Sequence, residues 1–214
     1  MVDASELRDT ALVLFAGAGY TGTSIQRLAD VVGVSKSAVL YHYASKETLL
    51  EAAISPAIDR MEEMLATLSS GPMTPASRVA FLEQFADFLL ANRLQVHMFI
   101  NQGPSLVDVP VIERANGVVR RLAEYFSSAV ASIEEKMRFG IALGGAAYML
   151  CSPQSHEFES GSTEETRAAL VRIMTELLAP AHAAGSPSGR GTTALHGTAS
   201  TPLARVTEIR RTPR

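Results

Sequence analysis

Ala29, Gly33 and Val39 constrain this chain more than any other three residues. Ile25, Leu28, Ala29 and Val32 recur at helical spacing. They stop at Gly33, a residue type suited to the left-handed turn that ends a helix. Ser35 then offers a cap for a second, very short helix. The small side chain at 29 lets two helices approach closely, and the glycine four residues on permits a sharp turn. Val39 fills the angle between them, with Leu28, Val34 and Tyr43 beside it. This is a helix-turn-helix pattern. With Val39 and Tyr43 inward, helical geometry sends Lys36, Ser37, Leu40 and Tyr41 outward. Such a set suits the major groove of double-stranded DNA, with donors for base edges and phosphates and apolar surface for thymine methyls.

Helical spacing continues along nearly the whole chain. Leu7, Ala11, Leu14, Phe15 and Ala18 make a first stripe, with Asp3 and Glu6 as its capping box and Gly19 as its end. Thr23 with Gln26 reads as a second capping box. Ser45 caps a long helix that carries Leu49 to Leu68 and contains Pro56, which is expected to kink or break it. The segment Ser69 to Ser77, "SSGPMTPAS", is a linker. Further helices are expected over about Pro75–Asn92, a shorter piece before Asn101, Pro110–Ala131, Ser132–Cys151 and Thr163–Leu178. The tail from Gly185 is rich in Gly, Ser, Thr and Pro and reads as disordered. The expected fold class is all-α. A three-helix helix-turn-helix domain occupies 1–50, a second helical domain 51–183, and a disordered tail 184–214.

Composition narrows the function. With 214 residues, 47% of them hydrophobic, the chain is able to bury a sizeable core. Its richest apolar run, Phe139 to Cys151, is too short for a membrane span. The acidic, polar start is not a signal peptide. A single cysteine, Cys151, fits a reducing cytoplasm and reads as a core residue rather than a catalytic thiol. The net charge of -3 argues against nucleic acid only on average. Residues 185–214 hold five arginines and one glutamate, and Lys36 and Lys46 frame a stretch without a carboxylate. Local positive charge is what a DNA surface requires. The tail arginines Arg205, Arg210, Arg211 and Arg214 offer at most nonspecific attraction.

Phosphate contacts have their own candidates. The helices after Thr23 and after Ser45 present free backbone N–H groups, a good setting for phosphate. The DNA-binding set is therefore Thr23, Ser24, Ser35, Lys36, Ser37, Tyr41, His42 and Lys46, with Lys36 and Ser37 assigned to bases. Enzyme chemistry finds no support. The five histidines are scattered, without metal-ligand spacing. His156, Glu157 and Glu159 make at best a poor metal site in a polar loop. The run Gly140 to Gly145, "GIALGG", has no preceding strand and so is not a dinucleotide fingerprint. No cofactor, no metal and no membrane partner are expected. The rival reading is an all-helical interaction module without DNA function.

The stretch Leu14 to Ala52, about a fifth of the chain, resembles the DNA-binding domain of TetR-family transcriptional regulators. The matching pieces are Phe15-Ala16, Gly19-Tyr20, Thr23-Ser24-Ile25, Leu28-Ala29, Gly33-Val34-Ser35, His42-Tyr43, Ser45-Lys46-Glu47 and Leu49-Leu50. The resemblance implies a homodimer whose C-terminal domain binds a small molecule and thereby changes DNA affinity, most commonly as a repressor. Where the family often has a tyrosine that touches the DNA backbone, this chain has Leu40, and Tyr41 is the candidate to take that duty. The helices around 132–151 and 163–178 are expected to form the dimer contact, with a tight intramolecular contact as the alternative. Met64, Phe85, Phe88, His97, Met98, Asn101 and Tyr125 are the candidate effector-binding residues, ordinary core being the alternative for most.

Overall fold

The turn at Gly33 forms as the N-terminal pattern requires. Gly33 adopts φ 78°, ψ 30°, and its amide and that of Val34 both donate to the Ala29 carbonyl. The computed structural model describes residues 3–130, 132–151 and 162–179. Among these it contains α1 (Ala4–Ala18), α2 (Ile25–Val32), α3 (Lys36–His42), α4 (Lys46–Ser69), α5 (Pro75–Ala91), α6 (Arg93–Gln102), α7 (Pro110–Ala129), α8 (Ile133–Cys151) and α9 (Thr163–Leu177). A single 3-10 turn, Gly103–Ser105, follows α6. No strand occurs among the described residues. The acidic loop with His156, Glu157 and Glu159 and the arginine-bearing tail lie outside them.

Caps explain most of the helix starts. Ser35 accepts from the Ala38 amide, and Ser45 and Thr48 form a reciprocal capping box. Thr74 and Ser77 form another at α5, where Pro75 takes the first helical position. Two expected caps fall elsewhere. Asp3 precedes α1, but its carboxylate accepts from the Ser5 hydroxyl and caps no helix amide. At α2 the cap is Ser24, which accepts from the Arg27 amide, and Thr23 points the other way. α4 runs through Pro56 without a break, the exposed ring taking the solvent side of the helix.

Two apolar clusters form the core. The first gathers Leu7, Phe15, Leu28, Val39, Leu49 and Leu50, and continues beyond residue 50 through Ala53, Ile54 and Ile58. Met98 of α6 and Ile112 of α7 join it. The second joins Met64, Leu68, Phe81, Phe85 and Phe88 to Phe126, Phe139, Leu150 and Met174. Helix pairs follow this division. α1 packs on α4 and α6, α4 on α7, α5 on α9, and α8 on α6 and α9. Ion pairs bind the outside: Arg114 and Arg121 meet Glu62 across α4 and α7, and Arg167 meets Asp87 across α5 and α9.

Candidate nucleic-acid interface and apolar cavity

α3 is seven residues long and one of them, Val39, is fully buried. Tyr43 follows it, and its hydroxyl donates 2.8 Å to the Ala4 carbonyl, tying the end of α3 to the start of α1. Val39 and Tyr43 fix which way the helix faces. Ser35, Lys36, Ser37, Leu40, Tyr41 and His42 all stand exposed, Tyr41 at 86%. The Tyr41 and His42 rings meet edge to face at 5.4 Å. Among the described residues, several arginines elsewhere are neutralised by carboxylates: Arg60, Arg114, Arg121, Arg138 and Arg167. Lys36 and the exposed Arg27 of α2 have no ion-pair partner among the described residues. Arg27 was missed in the sequence because α2 was read only for its buried stripe; its place in the first turn after Ser24 was the available signal.

Thr23 and Lys46, of the eight candidate residues, turn their side chains inward on the fold. Thr23 is 2% exposed, and its hydroxyl donates to the Leu14 and Gly19 carbonyls, closing the turn after α1. It offers DNA no side chain. Lys46 does not extend into solvent. Its ammonium donates 3.1 Å to each of the Tyr20 and Thr23 carbonyls and lies 4.2 Å above the Tyr20 ring. The Tyr20 hydroxyl donates to Glu47 at 3.2 Å. Burial, with the Glu47 charge beside it, pushes the Tyr20 phenol up to about 12. Glu47 is held below the usual carboxylate range by its own backbone amide and by Ser45. This knot fastens the start of α4 to the turn between α1 and α2.

A cavity of about 390 Å3 lies among α4, α5, α6, α7 and α8. Phe85, Phe88 and Met98 line it, as expected, together with Ile54, Ala57, Ile58, Ile112, Val118 and Leu122. Four candidate effector residues stand apart from it. Met64 is packed into the second core cluster. The Tyr125 hydroxyl donates 2.9 Å to the Leu68 carbonyl and its ring meets Phe126. His97 and Asn101 do share one face of α6, but that face borders a separate open depression beside Gly19 and Tyr20. There the His97 ring pairs with the Cys151 carbonyl, and the Asn101 amide donates to the His97 carbonyl at 2.9 Å. Cys151 itself is buried, which pushes its thiol up to about 11 and leaves it a poor nucleophile.

The next residue on α6 links the two regions. Gln102 donates 2.6 Å to the Phe15 carbonyl and accepts from the Tyr20 amide at 2.6 Å. Gly19 ends α1 at φ 83°, ψ 148°, outside the left-handed cap geometry. The Gln102 amide therefore supplies, from another helix, the partners that the end of α1 lacks. No local pattern in the sequence signals this contact between residues far apart in the chain.

The family pattern described as "Bacterial regulatory proteins, tetR family" matches residues 7–53, which are α1 to α3 and the first turns of α4. These N-terminal residues match the TetR family's DNA-binding domain. The chain is similar to the uncharacterized HTH-type transcriptional regulator YerO of Bacillus subtilis, 34% identical over 37% of this chain and 29% of that protein. It is also similar to the HTH-type transcriptional repressor AcnR of Corynebacterium diphtheriae, 29% identical over 47% of this chain and 51% of the relative. The chain thus spans no more than about half the length of these curated relatives. Over the whole fold it resembles the ketosteroid transcriptional regulator KstR2 of Mycobacterium tuberculosis, with TM-score 0.67 and 13% identity, covering 82% of this chain and 95% of that one. That last likeness is one of fold alone.

Proposed function

We propose that this chain is a sequence-specific DNA-binding repressor of the TetR family, and that a small molecule in the apolar cavity releases it from its operator. The observation that carries the reading is the solvent-facing set Lys36, Ser37, Leu40 and Tyr41 on a two-turn helix fixed by Gly33 and Val39. Lys36 and Ser37 read base edges, Leu40 meets thymine methyls, and Tyr41 and His42 hold phosphate. Ser24 and the first-turn amides of α2 and α4 add register, with Arg27 beside them. The reading part is residues 1–50, and 51–183 carry effector binding and self-association. AcnR, a repressor similar over 47% of this chain, supports the sign of the regulation.

Pairing uses α8 and α9. Ile133, Met137, Ile141, Tyr148 and Ile173 are large apolar side chains exposed there. Gly140, Gly144 and Gly145 have nothing of this protomer within 4 Å of where a Cβ would stand. Their smallness answers no internal contact, which favours a second copy over the intramolecular alternative. A dimer presents two reading helices to half-sites one helical turn apart. Release runs through α4 and α6, since both wall the cavity while α4 begins at the Lys46 knot and α6 holds the end of α1. Pro56 lacks the amide that would bond the Ala52 carbonyl and so weakens the continuous α4 between its DNA-side and ligand-side ends, and Pro56→Ala should alter release more than DNA affinity.

The test is selection of genomic fragments by the purified protein, followed by gel shifts over a salt series. A preferred fragment whose affinity falls steeply with salt supports the reading. Lys36→Ala should weaken the shift and change its preferred sequence, and Tyr41→Phe should weaken all fragments alike. A protein that shifts every fragment equally, or none, defeats it.

A further inference from the structure

The cavity carries no lysine, arginine, histidine, aspartate or glutamate on its wall. Only Gln95 and Tyr148 bring hydrogen-bonding side chains; the rest is aliphatic carbon, thioether and phenyl ring. Gln95 is half-buried and Tyr148 is exposed on the single protomer, so what polarity the site has lies at its rim rather than in its interior. A charged ligand group buried in such a wall has no counter-ion and loses its hydration without replacement. Size is bounded too. An apolar cavity of about 150 Å3 holds one benzene, so about 390 Å3 holds on the order of 15 non-hydrogen atoms.

We propose that the effector of this site is an uncharged, predominantly apolar molecule of roughly 15 non-hydrogen atoms, carrying one or two hydrogen-bonding groups at most. The proposal rests on the cavity being the effector site and adds the chemical class. Acids ionised at neutral pH, alkylamines protonated at neutral pH, nucleotides and sugars are excluded by the wall itself. The flexible side chains of Met61 and Met98 adapt to the outline of a flat or bent ring system.

Two fluorescent probes that share a ring skeleton test this. N-phenyl-1-naphthylamine is uncharged and of the required size; 8-anilino-1-naphthalenesulfonate adds a sulfonate. Fluorescence titration of the full chain should show saturable binding of the neutral probe, and binding of the sulfonate at least about tenfold weaker. Ala57→Phe, which fills the cavity from α4, should abolish binding of the neutral probe. Because Ala57 is buried and that variant risks misfolding, Ala115→Phe does the same from a half-buried position on α7. Absence of neutral-probe binding, equal or tighter binding of the sulfonate, or binding undiminished in both well-folded variants would overturn the assignment. The gel shift of the probe-free protein separates the two readings. A protein that binds the neutral probe but no fragment keeps the ligand class and loses the repressor role. One that binds its fragment but not the probe does the reverse.

Discussion

At Gly33 the backbone, not the available space, decides what the residue is. Nothing lies within 4 Å of the position a Cβ would take, yet φ is +78°. A side chain fits, but the conformation is strained. Gly33→Val should cost roughly 1–2 kcal/mol of stability, read as a lowered midpoint in urea unfolding. It should weaken DNA binding further, because α3 takes its direction from this turn. Both Gly33 and Val39 were legible in the sequence, since their roles depend on neighbours a few residues away. Thr23 and Lys46 were not. One turns inward on the carbonyls of Leu14 and Gly19, the other onto Tyr20. A polar residue beside a helix start reads the same whether it serves a cap, a phosphate or the fold.

At the scale of elements, the helices follow their apolar periodicity and caps, so their order and extent were readable from the chain. What joins them was not. Gln102 holds the end of α1 from α6, and replacing it leaves the Phe15 carbonyl and the Tyr20 amide without partners. Gln102→Leu should destabilise the fold by about 1–3 kcal/mol and speed hydrogen exchange at Tyr20 while leaving the α8 amides unchanged. Glu62 joins α4 to α7, and Arg114 first, then Arg121, hold its carboxyl below the usual range. A depressed carboxyl contributes stability above its unfolded value of about 4.3, and that contribution is lost as pH falls through the lower folded value. The pair is partly exposed, so the effect stays below about 1 kcal/mol. Thermal melts of Glu62→Gln should lie under those of the parent at neutral pH and converge with them in the acid range. The cavity wall was half legible. Phe85, Phe88 and Met98 stood out by residue type, whereas Ala57, Val118 and Leu122 look like any core residue until five helices meet around them.

For the whole molecule, the exposed row on α8 and α9 predicts a self-associating protein. Ile141→Glu places a charge at the middle of that row and should raise the dimer dissociation constant more than about tenfold, measured by sedimentation. The lone chain should keep its helical circular dichroism, because Ile141 faces away from the protomer's own core. The uncharged cavity wall has a wider consequence. Counter-ions govern how firmly a lysine-and-amide surface holds a duplex, but they have no purchase on a pocket of carbon and sulfur. On the proposed reading, saltier surroundings would weaken the hold on DNA while the cavity's intrinsic affinity for an uncharged ligand changes little, so less ligand would suffice for release.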